Sequence, residues 1–469
     1  MTEKETPMST NQLLSLARDL AAAYLDSLAD RRVGSPASYD DLLGAMGGGL
    51  PTEPVDPERV IRELSSSADA GLVATPGPRH FGFVIGGSLP ATLAADWLTS
   101  AWDQNAFSFV LSPAATAVEE ISRRWLLELL GLPPEMTMGF VTGATMANFT
   151  SLAAARHAVL RRVGWDAEEQ GLFGAPEIGV LTSDESHASV FASLQMLGLG
   201  RSRVTRIATD GQGRMRAAAL SAALEGRSGP IIVCAQAGNV NTGAVDPLDT
   251  IAPIVHGAGG WLHVDGAFGV WAAVSPAMRH LTRGLELADS IAVDGHKWLN
   301  VPYDCGFAFV RDGSAHRAAM TLEAPYYVKS PSEVRANHNF VPESSRRARG
   351  FAVYAALRSL GRQGLIDLVE RCSRLASRMA DRLAVHPRIR ILNDLVLNQV
   401  MVRFEAAEGG DADACTAEVI RRVQADGTCW LGGTTWHGMH VMRISVSNWS
   451  TTEHDIDISA DAILRSIPA

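Results

Sequence analysis

The sequence predicts an α/β protein. A mostly parallel sheet, covered on both faces by helices, is expected in a large domain, followed by a small α+β C-terminal domain. Short apolar runs alternate with helical stretches between about residue 115 and residue 310, as in sheets whose strands are joined by crossover helices. Two long helical stretches and three short apolar runs follow. The chain has 469 residues, which is too long for one ordinary hydrophobic core.

The N-terminal part is predicted to be helical. Residues 13–28 carry apolar side chains at three- and four-residue spacing. Residues 57–71 begin with a proline and end at a glycine, as helices often do. The Gly/Pro-rich residues 75–90 separate this part from the predicted sheet. The predicted units are an N-terminal helical segment over residues 1–85, a large domain over 86–345 and a small C-terminal domain over 346–469.

Apolar runs place the strands, and longer stretches of helical composition place the helices. In the large domain the predicted strands are 139–142, 178–183, 231–235, 261–265, 290–294 and 306–310, with a helix over 146–162. A loop rich in Ser, Pro and Asn (329–345) follows. In the C-terminal part the predicted helices are 344–361 and 366–385, and the predicted strands are 388–393, 399–404 and 440–447.

The composition excludes several functions. A net charge of −10 without a run of Lys or Arg argues against nucleic-acid binding. The five cysteines lack a CxxC pair, so they indicate neither a disulfide framework nor a zinc site and favour a reducing compartment. The polar N-terminus lacks the core of a signal peptide, and no apolar stretch reaches the ~18 residues of a membrane span. We expect a cytoplasmic protein that binds no metal, membrane or nucleic acid.

Four predicted strands are followed by residues suited to chemistry. Gly143 begins a helix directly after a strand, where unpaired backbone N–H groups bind phosphate. Asp265 ends a strand and is suited to hold a cationic ring nitrogen in its protonated state. His187 lies just past a strand. Lys297 lies near a strand end in an apolar neighbourhood, where a neutral amine is favoured and forms a Schiff base with an aldehyde.

Each of these features also has an ordinary alternative. Gly143 and Asp265 are typical of turns, His187 of a helix cap or a surface, and Lys297 of a side chain that reaches solvent past Trp298. Together, however, they lie at one edge of the predicted sheet, where α/β proteins bind ligands. A phosphate site, a carboxylate for a ring nitrogen, a histidine that stacks on a ring and a Schiff-base lysine are the groups that pyridoxal 5′-phosphate requires. The sequence therefore predicts this cofactor.

The segments around these residues resemble the group II pyridoxal-phosphate-dependent amino acid decarboxylases, which include aromatic-L-amino-acid, glutamate and histidine decarboxylases. The resemblance runs from about residue 70 to 450, and its most specific segments are TGATMANFTSLAAAR (142–156), DESHASV (184–190), HVDGAFG (263–269) and DGHKWLNVPYDCG (294–306). It implies fold type I, of the aspartate aminotransferase kind. It also implies decarboxylation of an L-amino acid to an amine and CO2 by a homodimer with shared active sites.

The resemblance also assigns roles. Lys297 would bind the cofactor's aldehyde and Asp265 its pyridine nitrogen, while His187 would stack on one face of the ring. The opposite face would pack on Ala267. The residues expected to hold the phosphate are Gly143, Ala144, Thr145 and His296.

A loop tyrosine decides the expected reaction. In the resembling enzymes, a tyrosine from a mobile loop of the partner subunit protonates the substrate carbon. Residues 323–331 are similar to that loop and align Tyr327 with the tyrosine, although its neighbour Tyr326 is an alternative and both also suit an ordinary loop. Relatives with phenylalanine there form aldehydes. Tyr327, with His187 retained, therefore favours decarboxylation over an aldehyde synthase or a transaminase.

Two departures concern the cofactor. Asp294-Gly295 precede His296, where many relatives have Asn-Pro or Asp followed by Pro or Ala. Since a carboxylate would repel the phosphate, we expect Asp294 to point away. Val240 aligns with a threonine that the aromatic enzymes place near the cofactor's hydroxyl, and either Asn239 or Asn241 is a candidate to replace it.

The expected substrate pocket departs most from the aromatic enzymes. Arg79 and His80 stand where those enzymes have two aromatic residues, and Asn105 stands at an apolar position, although Phe107 matches an aromatic. Arg79 is expected either to pair with an acidic substrate group or to bridge the subunits. Both an aromatic and an acidic substrate are therefore open. The predicted substrate-binding residues are Arg79, His80, Phe81, Asn105 and Phe107.

Overall fold

The computed structural model describes residues 8–321 and 335–468. Its α-helices are α1 (Thr10–Ser27), α2 (Tyr39–Met46), α3 (Pro57–Ala68), α4 (Pro90–Trp102), α5 (Pro113–Leu130), α6 (Ala144–Arg161), α7 (Ala167–Gln170), α8 (Ala188–Met196), α9 (Ala217–Leu224), α10 (Leu248–Gly257), α11 (Gly313–Met320), α12 (Gly350–Ala384), α13 (Ala412–Asp426) and α14 (Glu453–Arg465). Its strands are β1 (Thr137–Val141), β2 (Gly179–Ser183), β3 (Thr205–Ile207), β4 (Ile231–Gln236), β5 (Trp261–Asp265), β6 (Ser290–Asp294), β7 (Gly306–Val310), β8 (Ile389–Ile391), β9 (Gln399–Phe404), β10 (Gly432–Trp436) and β11 (Met439–Ser445).

The large sheet confirms the predicted mostly parallel arrangement. Its seven strands have the order β1-β7-β6-β5-β4-β2-β3, in which β7 runs antiparallel to its two neighbours and the remaining pairs are parallel. Every residue of β4, β5 and β6 is buried, because helices cover both faces. The carboxyl ends of β2, β4, β5 and β6 share one edge, which brings the residues that follow them together.

A second, antiparallel sheet forms the smaller α+β part, with the order β10-β11-β9-β8. The two long helices predicted for the C-terminal part are confirmed: they adjoin end to end within α12 and are separated by a kink at Gly361. Gly361 interrupts the regular backbone of α12 with φ 60° and ψ −173°, a conformation that favours glycine. The predicted limits between the domains stay predictions.

The N-terminal helices α1, α2 and α3 contain no buried residue. Their starts are fixed by side-chain caps, such as Ser9 with Gln12 at α1 and Asp56 ahead of Pro57 at α3. Their apolar side chains remain largely exposed, for example Leu14 and Leu43. An amphipathic helix whose apolar face is not buried by its own chain is typical of a surface that binds another chain.

No helix of the described residues has the length and the apolar character that crossing a membrane requires.

Candidate active site

A cavity of about 320 Å³ opens at the carboxyl edge of the large sheet. Its walls come from the segments that follow β1, β2, β4, β5 and β6. All eight residues that the sequence assigned to the cofactor line it: Gly143, Ala144, Thr145, His187, Asp265, Ala267, His296 and Lys297. The fold therefore brings together residues that lie more than 150 positions apart in the sequence.

Lys297 reaches the cavity from the turn after β6. Its Nζ lies 3.0 Å from Oδ2 of Asp294 and 5.9 Å from the centroid of the Phe268 ring. Trp298 behind it is fully buried and anchors the turn. A Cβ at Gly86 would lie only 1.8 Å from the Lys297 carbonyl oxygen, so glycine is required where that neighbouring segment passes. The amine is thus held on a rigid turn.

The Asp265 carboxylate is held by neutral donors. The backbone N–H of Ala267 donates to Oδ1 at 3.2 Å, Oδ2 accepts from Nδ2 of Asn148 at 3.1 Å, and the Ser189 hydroxyl oxygen lies 3.4 Å from Oδ2. Behind Asn148, its Oδ1 lies 2.8 Å from Nε2 of His263. Burial lowers the pKa of His263 to about 4, against a weaker opposing effect of Asp265, so this imidazole is neutral at neutral pH.

His187 caps helix α8 and borders the open cavity. Its Nδ1 accepts from the backbone N–H of Ser189 at 3.2 Å and lies 2.8 Å from the Ser189 hydroxyl. Partial desolvation lowers the pKa of His187, Asp265 opposes this effect, and Lys297 and Arg443 add to it. The ring is therefore neutral at neutral pH, with its proton on Nε2, and is suited to stacking on a cofactor ring.

The loop that carries His187 is tied to the C-terminal part by Glu185. The Glu185 carboxylate accepts from Nε1 of Trp436 at 3.1 Å, from Nε2 of His437 at 2.7 Å and from Nδ2 of Asn239 at 3.1 Å. Trp436 and His437 lie at the turn between β10 and β11. Asn239 of the large domain and the hairpin residues Trp436 and His437 of the C-terminal part therefore position the His187 loop together.

The expectation that Asp294 points away from the phosphate site is wrong. Oδ1 of Asp294 accepts from the backbone N–H of Ala144 at 2.5 Å and lies 3.3 Å from Nε2 of His296. Nδ1 of His296 accepts from the N–H of Cys305 at 3.1 Å, which leaves Nε2 as the donor toward Asp294. The expectation considered only repulsion by the phosphate, whereas the N-terminal end of α6 attracts a carboxylate for the same reason that it attracts a phosphate.

These groups fit pyridoxal phosphate. The N-terminus of α6 and His296 suit an anion, the Lys297 amine suits an aldehyde, and the carboxylate of Asp265 suits a cationic ring nitrogen. A Cβ at Gly143 would lie 2.9 Å from the His296 ring and 3.1 Å from Asp294 Oδ1, so a side chain there would fill the anion site.

A family model described as pyridoxal-dependent decarboxylase conserved domain matches residues 48–405. The chain belongs to this family. As predicted, it is a pyridoxal-phosphate-dependent amino acid decarboxylase of fold type I, and hence a carboxy-lyase.

Two relatives and one solved structure illustrate the similarity. This decarboxylase is 35% identical over 389 residues to the L-2,4-diaminobutyrate decarboxylase of Rhizobium meliloti (strain 1021), covering 80% of this chain and 75% of that protein. It is 28% identical to tryptophan decarboxylase 1 of Oryza sativa subsp. japonica, covering 97% and 92% of the two chains. The crystal structure of Oryza sativa TDC with PLP and tryptamine matches it with a TM-score of 0.91 and 25% identity over 98% of each chain.

The predicted substrate residues of this decarboxylase do not line the cavity within the described part of the chain. Arg79 donates to the carbonyl groups of Ala29 and Thr428, at 2.5 and 2.7 Å, and so joins the N-terminal segment to the C-terminal part. His80 stacks on Trp430, with centroids 5.0 Å apart. The other three residues also have partners in the fold: Phe81 is buried, Asn105 accepts from the backbone of Phe107 and Arg346, and Phe107 stacks on His338. Their contact with a substrate stays a prediction.

The two asparagines proposed to replace a threonine of the aromatic enzymes have other partners. Val240 itself lines the cavity. Asn239 is occupied by Glu185 and by its own turn, and Oδ1 of Asn241 accepts from Nη1 of Arg443 at 3.3 Å. Within the described residues neither asparagine lines the cavity, so the replacement of the threonine stays a prediction.

Sequence reasoning missed the residues that support Asp265, namely Asn148, Ser189 and His263. The available signal was a polar residue inside an otherwise apolar stretch, as in MANFTSLAAA for Asn148 and WLHVD for His263. The predicted Tyr327, and its alternative Tyr326, lie outside the described residues.

Proposed function

We propose that this decarboxylase acts on an aromatic L-amino acid, releases the amine and CO2, and works as a cytoplasmic homodimer. The main support for the chemistry is the convergence of Lys297, Asp265, His187 and the N-terminus of α6 on one cavity. An aromatic substrate is supported by the tryptophan decarboxylase relative.

The residues of the chain divide the chemical work. Pyridoxal phosphate, when bound, supplies the electron sink that lets the bond between Cα and the carboxylate break. Lys297 supplies the amine that holds the cofactor, and Asp265 keeps a negative charge on the side of the ring nitrogen. His187 presents a neutral ring that stacks without adding charge. These fixed groups orient the reacting bond and stabilise the charge that develops.

The proton that replaces CO2 at Cα is assigned to Tyr327. The support is the similarity of residues 323–331 to the loop of related decarboxylases. In the same enzymes the tyrosine enters the active site of the partner subunit, so this role also requires a dimer.

The homodimer is supported by the N-terminal helices. Helices α1 to α3 bury no residue within one chain, and Leu14, Leu43, Met46 and Leu64 are all more than half exposed. A second copy of the chain is the partner that removes this apolar surface from water. The cytoplasmic location is supported by the cysteines, all five of which are free and buried.

A second candidate substrate has an anionic side chain, and Arg443 favours it. Its guanidinium is half-buried and close enough to His187 to lower the pKa of that ring. Within the described residues its hydrogen-bond partner is the neutral Oδ1 of Asn241. A guanidinium without a carboxylate partner near the cavity is suited to bind a substrate carboxylate.

Product analysis tests the reaction and the substrate class. Cofactor-loaded protein is incubated with phenylalanine, tyrosine, tryptophan, glutamate, aspartate and L-2,4-diaminobutyrate, and the products are identified by mass spectrometry. We expect an aromatic amine at the mass of its precursor minus CO2, and none with Lys297→Ala. An amine from glutamate or aspartate alone would replace the aromatic proposal by the anionic one, whereas aldehyde without amine would contradict decarboxylation as the reaction.

Mixed dimers test the shared active site. Lys297→Ala and Tyr327→Phe are each expected to lose amine formation. If Tyr327 acts across the dimer, a dimer of one chain of each variant contains one complete site and recovers activity. If Tyr327 acts within its own chain, the mixed dimer contains no complete site and stays inactive.

A further inference from the structure

A continuous chain of hydrogen bonds runs beneath the cavity and ends on Asp265. Nε1 of Trp261 lies 2.9 Å from the Ser290 hydroxyl, which lies 2.9 Å from Nδ1 of His263. Nε2 of His263 lies 2.8 Å from Oδ1 of Asn148, and Nδ2 of Asn148 lies 3.1 Å from Oδ2 of Asp265. The four residues behind Asp265 are buried almost completely, and none of them lines the cavity.

The direction of every hydrogen bond in this chain is fixed by its two ends. The indole N–H of Trp261 can only donate, and a carboxylate can only accept. Ser290 therefore accepts from Trp261 and donates to Nδ1 of His263. The neutral His263 then carries its proton on Nε2 and donates to Asn148, whose amide donates to Asp265.

All the donors thus point toward Asp265, and all of them are neutral. Neutral donors fix the orientation of a carboxylate without cancelling its charge. An arginine or lysine in the same place would pair with the carboxylate and compete with a cationic ring nitrogen. The arrangement leaves the charge of Asp265 available to the cavity.

Helix α6 links this chain of hydrogen bonds to the phosphate end of the site. Ala144, at the helix N-terminus, and Asn148 are four residues apart, so they lie one turn apart on the same face. One rigid turn thereby sets the distance between the anion-binding N–H groups and the group that holds Asp265.

We propose that Asn148 and His263 are positioning residues, which hold the Asp265 carboxylate in the orientation that the cofactor's ring nitrogen requires. This inference rests on the proposed function, because it presumes that Asp265 faces that nitrogen. Asn148 and His263 act only through Asp265.

The test compares Asn148→Ala with Ser151→Ala as a matched control. Ser151 lies on the same helix, is fully buried and has a hydroxyl without a hydrogen-bond partner among the described residues. For Asn148→Ala we expect about a 10-fold loss of kcat with KM nearly unchanged, since removal of such outer partners costs about 10–100-fold in related settings. We also expect about 10-fold weaker binding of pyridoxal phosphate and a shifted absorption band of the bound cofactor. Ser151→Ala should match the parent protein in all three.

Two further variants separate positioning from packing. Asn148→Asp is nearly isosteric but places a second carboxylate beside Asp265, so it should lose more activity than Asn148→Ala. His263→Gln retains one donor and one acceptor and should keep most of the activity that His263→Leu loses.

The inference is overturned if Asn148→Ala lowers the thermal midpoint while its kcat, cofactor affinity and absorption band match those of Ser151→Ala. Equal activity of Asn148→Asp and Asn148→Ala would also overturn it. Failure of the parent protein to bind pyridoxal phosphate would instead contradict the proposed function, so the two failures can be told apart.

Discussion

Asp265 and Asp294 end two neighbouring parallel strands, and their exposed fractions are only 6% and 3%. The partners of Asp265 are neutral donors that belong to its own support. The partners of Asp294 are Ala144, His296 and Lys297, which are the groups expected to hold the cofactor. Two equally buried carboxylates therefore differ in availability. The first keeps its charge for a ligand, while the second occupies groups that a ligand needs.

The largest expected effect comes from removing the charge of Asp265. Asp265→Asn keeps the shape of the side chain but cannot hold a ring nitrogen in its protonated state. We expect about a 10²–10³-fold loss of kcat, comparable to the removal of one preorganised electrostatic contact. Steady-state kinetics of the cofactor-loaded variant measures the loss.

Asp289→Asn is the control for Asp265→Asn. Asp289 precedes β6 at the opposite edge of the sheet, where one of its oxygens accepts from Leu262 and lies 3.1 Å from a His256 nitrogen. The variant changes the net charge equally and should keep nearly full activity. Similar losses of kcat in both variants would show that the effect of Asp265→Asn follows from the change in net charge and not from the place of Asp265 at the cavity.

Because the His263 ring behind Asp265 is buried in its neutral form, the stability of the protein should depend on pH. Since the pKa of His263 is about 4 in the folded protein and near 6.5 when unfolded, the unfolded chain takes up a proton first as the pH falls. The folded state therefore loses up to about 3 kcal/mol between pH 6.5 and pH 4. His263→Gln does not titrate, so its free energy of unfolding should fall less over this window.

Urea denaturation at pH 7 and pH 4.5 measures this difference, with Ser151→Ala as a control that retains every histidine. The parent protein and the control should lose more stability than His263→Gln. Parallel losses in all three proteins would show that His263 is protonated in the folded state and that the support of Asp265 is not neutral.

A smaller effect is expected from Asp294→Asn. Its amide no longer competes with the phosphate as an anion and can donate a hydrogen bond to it. We expect pyridoxal phosphate to bind about 10-fold more tightly, equivalent to about 1.4 kcal/mol. Equilibrium dialysis measures the affinity, and Asp289→Asn again controls for charge. Weaker binding of pyridoxal phosphate to Asp294→Asn would mean that the Asp294 carboxylate helps to hold the phosphate. Asp294 would then not compete with the ligand, which would contradict the contrast drawn with Asp265.

The sequence predicted those parts of the fold whose pattern is local. Strands β4, β5 and β6 are buried on both faces and therefore read as continuous apolar runs. The sequence did not predict two strands, the short edge strand β3 and the strand β10, whose sequence GGTTW is typical of a turn. Pairing with neighbouring strands stabilises them more than their own composition does.

The sequence predicted the site residues that lie at or just after the end of a strand, such as Lys297 and Asp265. Asn148 and His263 were missed because their importance depends on contacts between a helix and two strands, which spacing along the chain does not reveal. The orientation of Asp294 was wrong because it follows from a balance between a helix terminus and a ligand charge. The partners of Arg79 in two distant segments were equally invisible in the sequence.

The hairpin that binds Glu185 is synthesised long after Glu185 itself. His437 follows Glu185 by 252 residues, an interval of roughly 10–50 s at ordinary rates of translation. During that time the strands of the large sheet and Lys297 leave the ribosome, while the His187 loop lacks Trp436 and His437. The wall against which a cofactor ring would stack is therefore completed only after Lys297 has been made, and a chain that stops before residue 436 carries the reactive lysine without that wall.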